Sequence, residues 1–187
     1  MALQGSFNEL VEKFQRLVEV TSDLRVNTVE DQPHGDRPLF VDWLADTVVH
    51  FESLAEEGLS AANKAAISAG YPLDMERLRE QQIAAQRVFN DLSRIFSSEL
   101  LARPGLSELK RIGSERSIEW ESWTEAFIQS VARCEQPIFE ASEALFRCWQ
   151  EMVERIGMNS ISVQTKAVGQ EITVPSSELE EVIERVG

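Results

Sequence analysis

Apolar residues recur every three or four positions along most of this chain, the spacing of one face of an α-helix. The first stripe is Phe7, Leu10, Val11, Phe14, Leu17, Val18 and Leu24, with Glu9, Glu12, Lys13 and Arg16 outside it. Ser6-Phe-Asn-Glu9 opens it as a capping box, in which each end satisfies a free amide of the other. Residues 25–37 break the period, and Asn27, Asp31, Pro33 and Gly35 predict a loop there. A second helix is expected from Pro38, since a first-turn proline lacks only an amide that would be unsatisfied anyway. Its stripe is Leu39, Phe40, Trp43, Leu44, Val48, Phe51 and Leu54, followed by small residues from Ala55 to Ala66, with Gly58 among them. Gly70 should end it, and Pro72 prevents resumption.

Asp74 is placed to cap a third helix running to about Ala102, with a seam of Ala85, Val88, Leu92 and Ile95 widened by Phe89 and Phe96. Pro104-Gly105 closes it, and Leu106–Ile112 reads as a short helical turn stopped by Gly113. The fourth long helix spans roughly 114–156. Trp120, Trp123, Phe127, Val131, Cys134, Ile138, Ala141, Leu145, Cys148, Met152 and Ile156 step along it by three or four, a heptad-like seam. Pro137 lies inside it and removes the amide that the Arg133 carbonyl would accept, which predicts a kink near 133–137.

Gly157 is expected to cap that helix, because the period changes beyond it. Ile161-Ser-Val-Gln-Thr-Lys-Ala167 alternates apolar or small residues with polar ones, and Glu171-Ile-Thr-Val174 repeats the alternation across Gly169. Alternation of this kind marks a half-buried strand, so 160–175 reads as a hairpin. Ser177-Glu-Leu-Glu180 then forms a second capping box, with Leu179, Val182, Ile183 and Val186 on one stripe of a helix of about ten residues. The expected fold is all-α: an elongated antiparallel four-helix bundle over 1–157, with a small C-terminal β-hairpin and short helix over 158–187. An isolated hairpin is marginal in water, and a helix this short does not hold alone. The tail must therefore rest on its own bundle, on a second copy or on another protein.

Composition adds one feature. The 187 residues hold 32 acidic against 18 basic side chains, a net charge of −14. Such a surface repels nucleic acid and anionic lipid, so neither is expected as a partner. No apolar run is long enough to span a bilayer, and Met-Ala-Leu-Gln-Gly lacks the basic and apolar regions of an export signal. Both point by default to the cytoplasm, without integral membrane association. Cys134 and Cys148 share a helical seam fourteen residues apart, which puts them ~21 Å from each other. That is too far for a disulfide, and buried free thiols are expected.

Candidate chemistry is sparse. No Glu-x-x-His pair, as used by two-metal bundle sites, occurs. Asp46 and His50 are spaced i,i+4 but supply too few ligands for a metal. Glu52, Glu56, Glu143 and Glu151 have the chemistry of general acids and bases and the spacing of solvated surface. Trp43 and Trp123 are expected as core anchors, and Trp120 and Trp149, near the edges of the seam, as partly exposed interface residues. No catalytic, metal or cofactor site is expected.

The helical body resembles phasins, the helical coat proteins of polyester granules, in being helical, amphipathic and of similar length; the strand-like tail departs from that likeness. The resemblance implies a coat protein that lays an amphipathic face on an apolar surface. The residues themselves point first to a non-enzymatic adaptor or assembly subunit, acting on a protein partner or on itself as a homo-oligomer. Its contacts would be Ile161, Val163, Ile172, Val174, Leu179, Val182, Ile183 and Val186.

Overall fold

The computed structural model describes residues 2–164 apart from 36, 71–73 and 103–104, and no side chain beyond residue 157. Five α-helices make up the described chain: α1 (Ala2–Arg25), α2 (Phe40–Ser68), α3 (Met75–Ile95), α4 (Leu106–Ser114) and α5 (Ile118–Gln164). Two π-helical turns, Val26–Glu30 and Phe96–Leu101, extend α1 and α3. No strand occurs among the described residues.

The four long helices form an antiparallel up-and-down bundle. The pairs Asn27–Ser130, Lys13–Glu140 and Glu9–Arg147 run in opposite senses along α1 and α5. Phe51 stacks on Phe96 with ring centroids 6.2 Å apart, fixing α2 antiparallel to α3 through its terminal turn. Helix α1 lies against both α2 and α5, and α2 lies against α3. The fourth side of the square, between α3 and α5, is packed much more lightly. Arg25 joins the end of α1 to α2 through Glu52, 2.6 Å away, and reaches Glu30 at 2.7 Å.

The periodic stripes fill the core as expected. Phe7, Leu10, Phe14, Leu17 and Leu24 of α1 and Leu44, Val48 and Phe51 of α2 all have no solvent exposure. The seam of α5 is buried from Trp120 to Met152, and Ile156 is partly exposed. Small residues in α2 matter most at Gly58. A Cβ built there would lie 2.6 Å from Phe14 Cδ1, so only glycine lets α1 come this close. The helix is continuous through Gly58.

Helix ends differ from expectation in several places, each for a local reason. α1 starts at Ala2, so Ser6 lies inside the helix and does not cap it. The chain after Arg25 stays helical to Glu30, where Thr28 bonds back to the Leu24 carbonyl at 2.7 Å, and the loop shrinks to the residues after it. Pro38 precedes α2 and accepts the Val41 amide at 3.2 Å through its carbonyl. Asp74 does cap α3, accepting the Arg77 amide at 3.1 Å. Gly113 does not stop α4: it is buried inside it, and a Cβ there would lie 3.1 Å from the Trp120 carbonyl oxygen, a close approach that ties α4 to α5. Gly105, with φ +108°, turns the chain into α4.

α5 runs without interruption through Pro137, which is buried, and through Gly157 to Gln164. Gly157 lacks the positive φ of a helix-ending glycine, a conformation seen only at Gly35 and Gly105 among the described residues. Ile161 and Val163 lie within the bounds of α5. The rest of the expected hairpin and the final helix, with Ile172, Val174, Leu179, Val182, Ile183 and Val186, lie outside the described residues.

Candidate docking surface

Among the described residues, two concavities stand out, one at each half of the bundle. The larger, about 700 Å³, opens beside the α1–α2 loop and is lined by Asn27, Asp31, Pro33, His34, Ile118, Glu119, Ser122, Trp123 and Ala126. It brings a serine, a histidine and an aspartate together. Nucleophilic chemistry needs the base bonded to the nucleophile and oriented by a third group. No hydrogen bond joins any two of Ser122, His34 and Asp31 among the described residues, and His34 and Ser122 are exposed. Beneath this concavity sits an aromatic cluster. Trp123 stacks on Phe127 at 6.0 Å and meets Trp120 edge-on at 5.5 Å. Trp120 is 2% exposed and donates its indole N–H to the Gly35 carbonyl at 3.3 Å. It is a core anchor, contrary to the exposed role expected of it, because the α1–α2 loop folds over its ring. Trp43 is half-buried.

The second concavity lies on the loosely packed side. It is a groove of about 230 Å³ between Phe89, Asn90, Ser93 and Phe96 of α3 and Glu135, Ile138, Phe139 and Ser142 of α5. Phe139 is 55% exposed and Phe146, two turns further on the same face, is 43% exposed. Val153 continues the line after another two turns and is partly exposed. Ser142 and Trp149 form the parallel row toward α3. α5 thus carries two apolar seams: one enters the core, and the other flanks α3 and faces outward. Repeats of seven keep residues on one helix face.

The α3 side of this groove is polar at depth. Gln82 and Gln86 are buried, and Gln86 donates to Asn90 Oδ1 at 2.9 Å. The antiparallel register places Gln82 level with Trp149. Gln82 Nε2 and Trp149 Nε1 are both buried with no hydrogen-bond partner among the described residues. Trp149 is 8% exposed, so it too is more buried than its edge position suggested. A buried donor without an acceptor costs ~1–3 kcal/mol, and such donors in native structures call for an explanation.

The remaining candidates fall away one by one. Asp46 and His50 are both exposed. Glu52 is engaged by Arg25, and Glu56 and Glu143 are exposed. No three His, Cys, Asp or Glu residues are grouped for a metal ion among the described residues. Cys134 and Cys148 are buried free thiols, as expected, and burial pushes each up to about 12. No described helix is long and apolar enough to cross a membrane. Of the eight tail residues expected to bind a partner, Ile161 and Val163 have a described backbone, and the others lie outside the described residues. Phe139 and Phe146 were missed by the sequence reading, although their seven-residue spacing to Val153 was there to be read.

The described chain is thus an up-and-down four-helix bundle with one open seam. Compared with known proteins, it matches no family model, no curated protein and no solved structure.

Proposed function

We propose that this protein is a non-enzymatic helical adaptor or assembly subunit. It docks through apolar surface supplied by the outer seam of α5 and by the C-terminal segment that follows it. The observation that carries this reading is the pair Phe139 and Phe146, 55% and 43% exposed on one helix face beside a groove. Two phenylalanines held open on a rigid helix are suited to be anchors, because a large aromatic brings much apolar area at low entropy cost. The partner is a protein or a second copy of the chain. A surface of −14 net charge does not favour nucleic acid.

A coat protein would need a continuous apolar stripe. Leu39 and Ile67 are strongly exposed at the two ends of α2, and Ile118 at the first residue of α5, well short of Phe139 and Phe146. Phe139 and Phe146 form a short seam, which favours a groove or helix as partner over an extended sheet of polymer. The test compares the full-length protein with its Phe139→Asp/Phe146→Asp variant by light scattering and by co-purification from native lysate. The reading expects a lower mass or the loss of a defined co-purifying species. Identical mass and identical co-purifying proteins would remove it.

A further inference from the structure

The α3–α5 groove has charges of opposite sign on its two flanks. Ile83, Arg87, Asn90 and Arg94 follow one another along α3 at helical spacing, and Asn90 lines the groove. Phe139, Glu143 and Phe146 share a row of α5, and Glu135 lines the groove one turn before Phe139. Arg87, Arg94, Glu135 and Glu143 are all exposed. Arg94 comes no closer than 3.9 Å to Glu99, and Arg87, Glu135 and Glu143 make no ion pair among the described residues. Phe89–Phe96 of α3 and Glu135–Ser142 of α5 line the groove from its two sides and run antiparallel. That register sets Arg94 level with about residue 137 and Arg87 level with about residue 144 of α5. Along the bundle axis, Arg94 therefore stands within ~3 Å of the level of Glu135, and Arg87 within ~3 Å of that of Glu143.

Building on the α5 seam as a docking face, we propose that its partner is a second copy of this chain, related by a two-fold axis that runs parallel to the helices. A two-fold in that direction keeps every level and exchanges the two flanks, so α3 of each copy faces α5 of the other. Arg94 then meets Glu135 of the other copy, and Arg87 meets its Glu143. Each contact is made twice, because a two-fold interface uses the same patch on both copies. Phe146 of the other copy falls over Ile83, which is partly exposed and level with about residue 148 of its own α5. Phe139 of the other copy enters the groove itself. Its volume of about 230 Å³ admits an aromatic ring, since a cavity of roughly 150 Å³ already holds benzene.

Charge selects this pairing over the others. A two-fold at right angles to the helices lays α3 on α3 and α5 on α5, which opposes arginine to arginine and glutamate to glutamate. Like charges placed opposite each other are strongly disfavoured at an interface. A partner charged with one sign throughout would satisfy one flank of the groove and repel the other. This chain's own face carries both signs, in the order and at the levels that the parallel two-fold requires. The net charge of −14 on each copy does not forbid the contact. Arg87, Arg94, Glu135 and Glu143 sum to zero where the copies touch, and at physiological salt exposed charges beyond ~8 Å are largely screened. The apolar contacts supply the affinity, and the charges set the orientation.

The test weighs the full chain by light scattering over a dilution series at physiological ionic strength. Native protein is expected at two chains per particle. Arg94→Glu alone and Glu135→Arg alone should each weaken the dimer roughly tenfold or more, because each sets like charges against each other at two places. Arg94→Glu/Glu135→Arg restores opposite charges and should restore the dimer. Both positions are exposed, so thermal unfolding of the diluted variants should confirm that each still folds. One chain per particle at every concentration overturns the proposal. A dimer indifferent to both single reversals overturns the assigned face, and a double reversal that restores nothing overturns the assigned axis. The adaptor reading fails separately. A native monomer whose Phe139→Asp/Phe146→Asp variant loses a co-purifying protein overturns the second copy as partner and leaves the seam a docking face.

Discussion

Replacing Gly58 with alanine puts a methyl group into the space of the Phe14 ring. The built Cβ lies 2.6 Å from Phe14 Cδ1. The ring has no free direction in which to retreat, being fully buried and edge-on to Phe89 with centroids 6.4 Å apart. Two effects oppose each other. Alanine in a helix interior is favoured over glycine by ~1 kcal/mol. Overpacking a filled core costs ~1–3 kcal/mol, and an overlap this deep against an aromatic ring belongs at the upper end. The net expectation is a loss of about 1–2 kcal/mol, or roughly 2–8 °C in Tm for a domain this size. Urea unfolding should show a lower midpoint with an unchanged slope. Gly5→Ala is the control. Nothing lies within 4 Å of a Cβ there, so it should gain rather than lose stability. Phe14→Leu supplies the second test, because shrinking the ring opens the space that the methyl needs. The pair should couple by at least ~0.5 kcal/mol, as contacting residues do. A Gly58→Ala protein as stable as Gly5→Ala would refute the claim that the α1–α2 approach depends on this glycine.

Three further outcomes are expected. Asp74→Ala removes the acceptor of the Arg77 amide and should cost ~1 kcal/mol in urea unfolding, the usual loss of an N-cap. Trp120→Ala empties a fully buried site and frees the Gly35 carbonyl, and should cost ~3–5 kcal/mol in thermal unfolding. The thiols at 134 and 148 should resist a thiol reagent at pH 8 and react on unfolding. Their folded values, about 12, lie above the ordinary value of 9.0, so the unfolded chain loses these protons first. Stability is therefore unaffected by them below pH 9 and falls as pH rises from 9 toward 12, by at most ~1.4 kcal/mol per pH unit for each thiol. Cys134→Ala/Cys148→Ala should flatten that fall, and an unchanged slope would refute the buried-thiol account.

The periodic stripes were enough to read four long helices and nearly all of their core. A residue such as Phe14, Phe51 or Phe127 has one apolar face available and takes it. Ends were harder. Ser6 and Glu9 look like a cap, but residues 2–5 continue the helix at no steric cost, and Leu3 joins the core. Glycine was read as punctuation at Gly113 and Gly157, where one permits close packing and the other is an ordinary helical residue. Spacing alone does not separate these uses of a missing Cβ. Trp120 and Trp149 are more buried than expected for a related reason: whether a seam-edge ring is covered depends on distant segments, as the Gly35 carbonyl accepts the Trp120 indole N–H. The outer seam is legible in principle at Phe139, Phe146 and Val153, but three residues at a spacing of seven make a weaker period than the eleven-residue core seam on the same helix.

The placement of the indoles has a practical consequence. Trp43, Trp120 and Trp123 gather at the pole where α2 and α5 begin, with Trp120 and Trp123 in direct ring contact. Trp149 stands apart, 26 residues further along α5 or ~39 Å from Trp123. The molecule thus carries its own optical reporter: a fluorophore isolated from its siblings, seven residues along α5 from the groove-lining Ser142. With the three distant indoles exchanged for phenylalanine, the emission of this single ring would report on its own stretch of α5 without any attached dye.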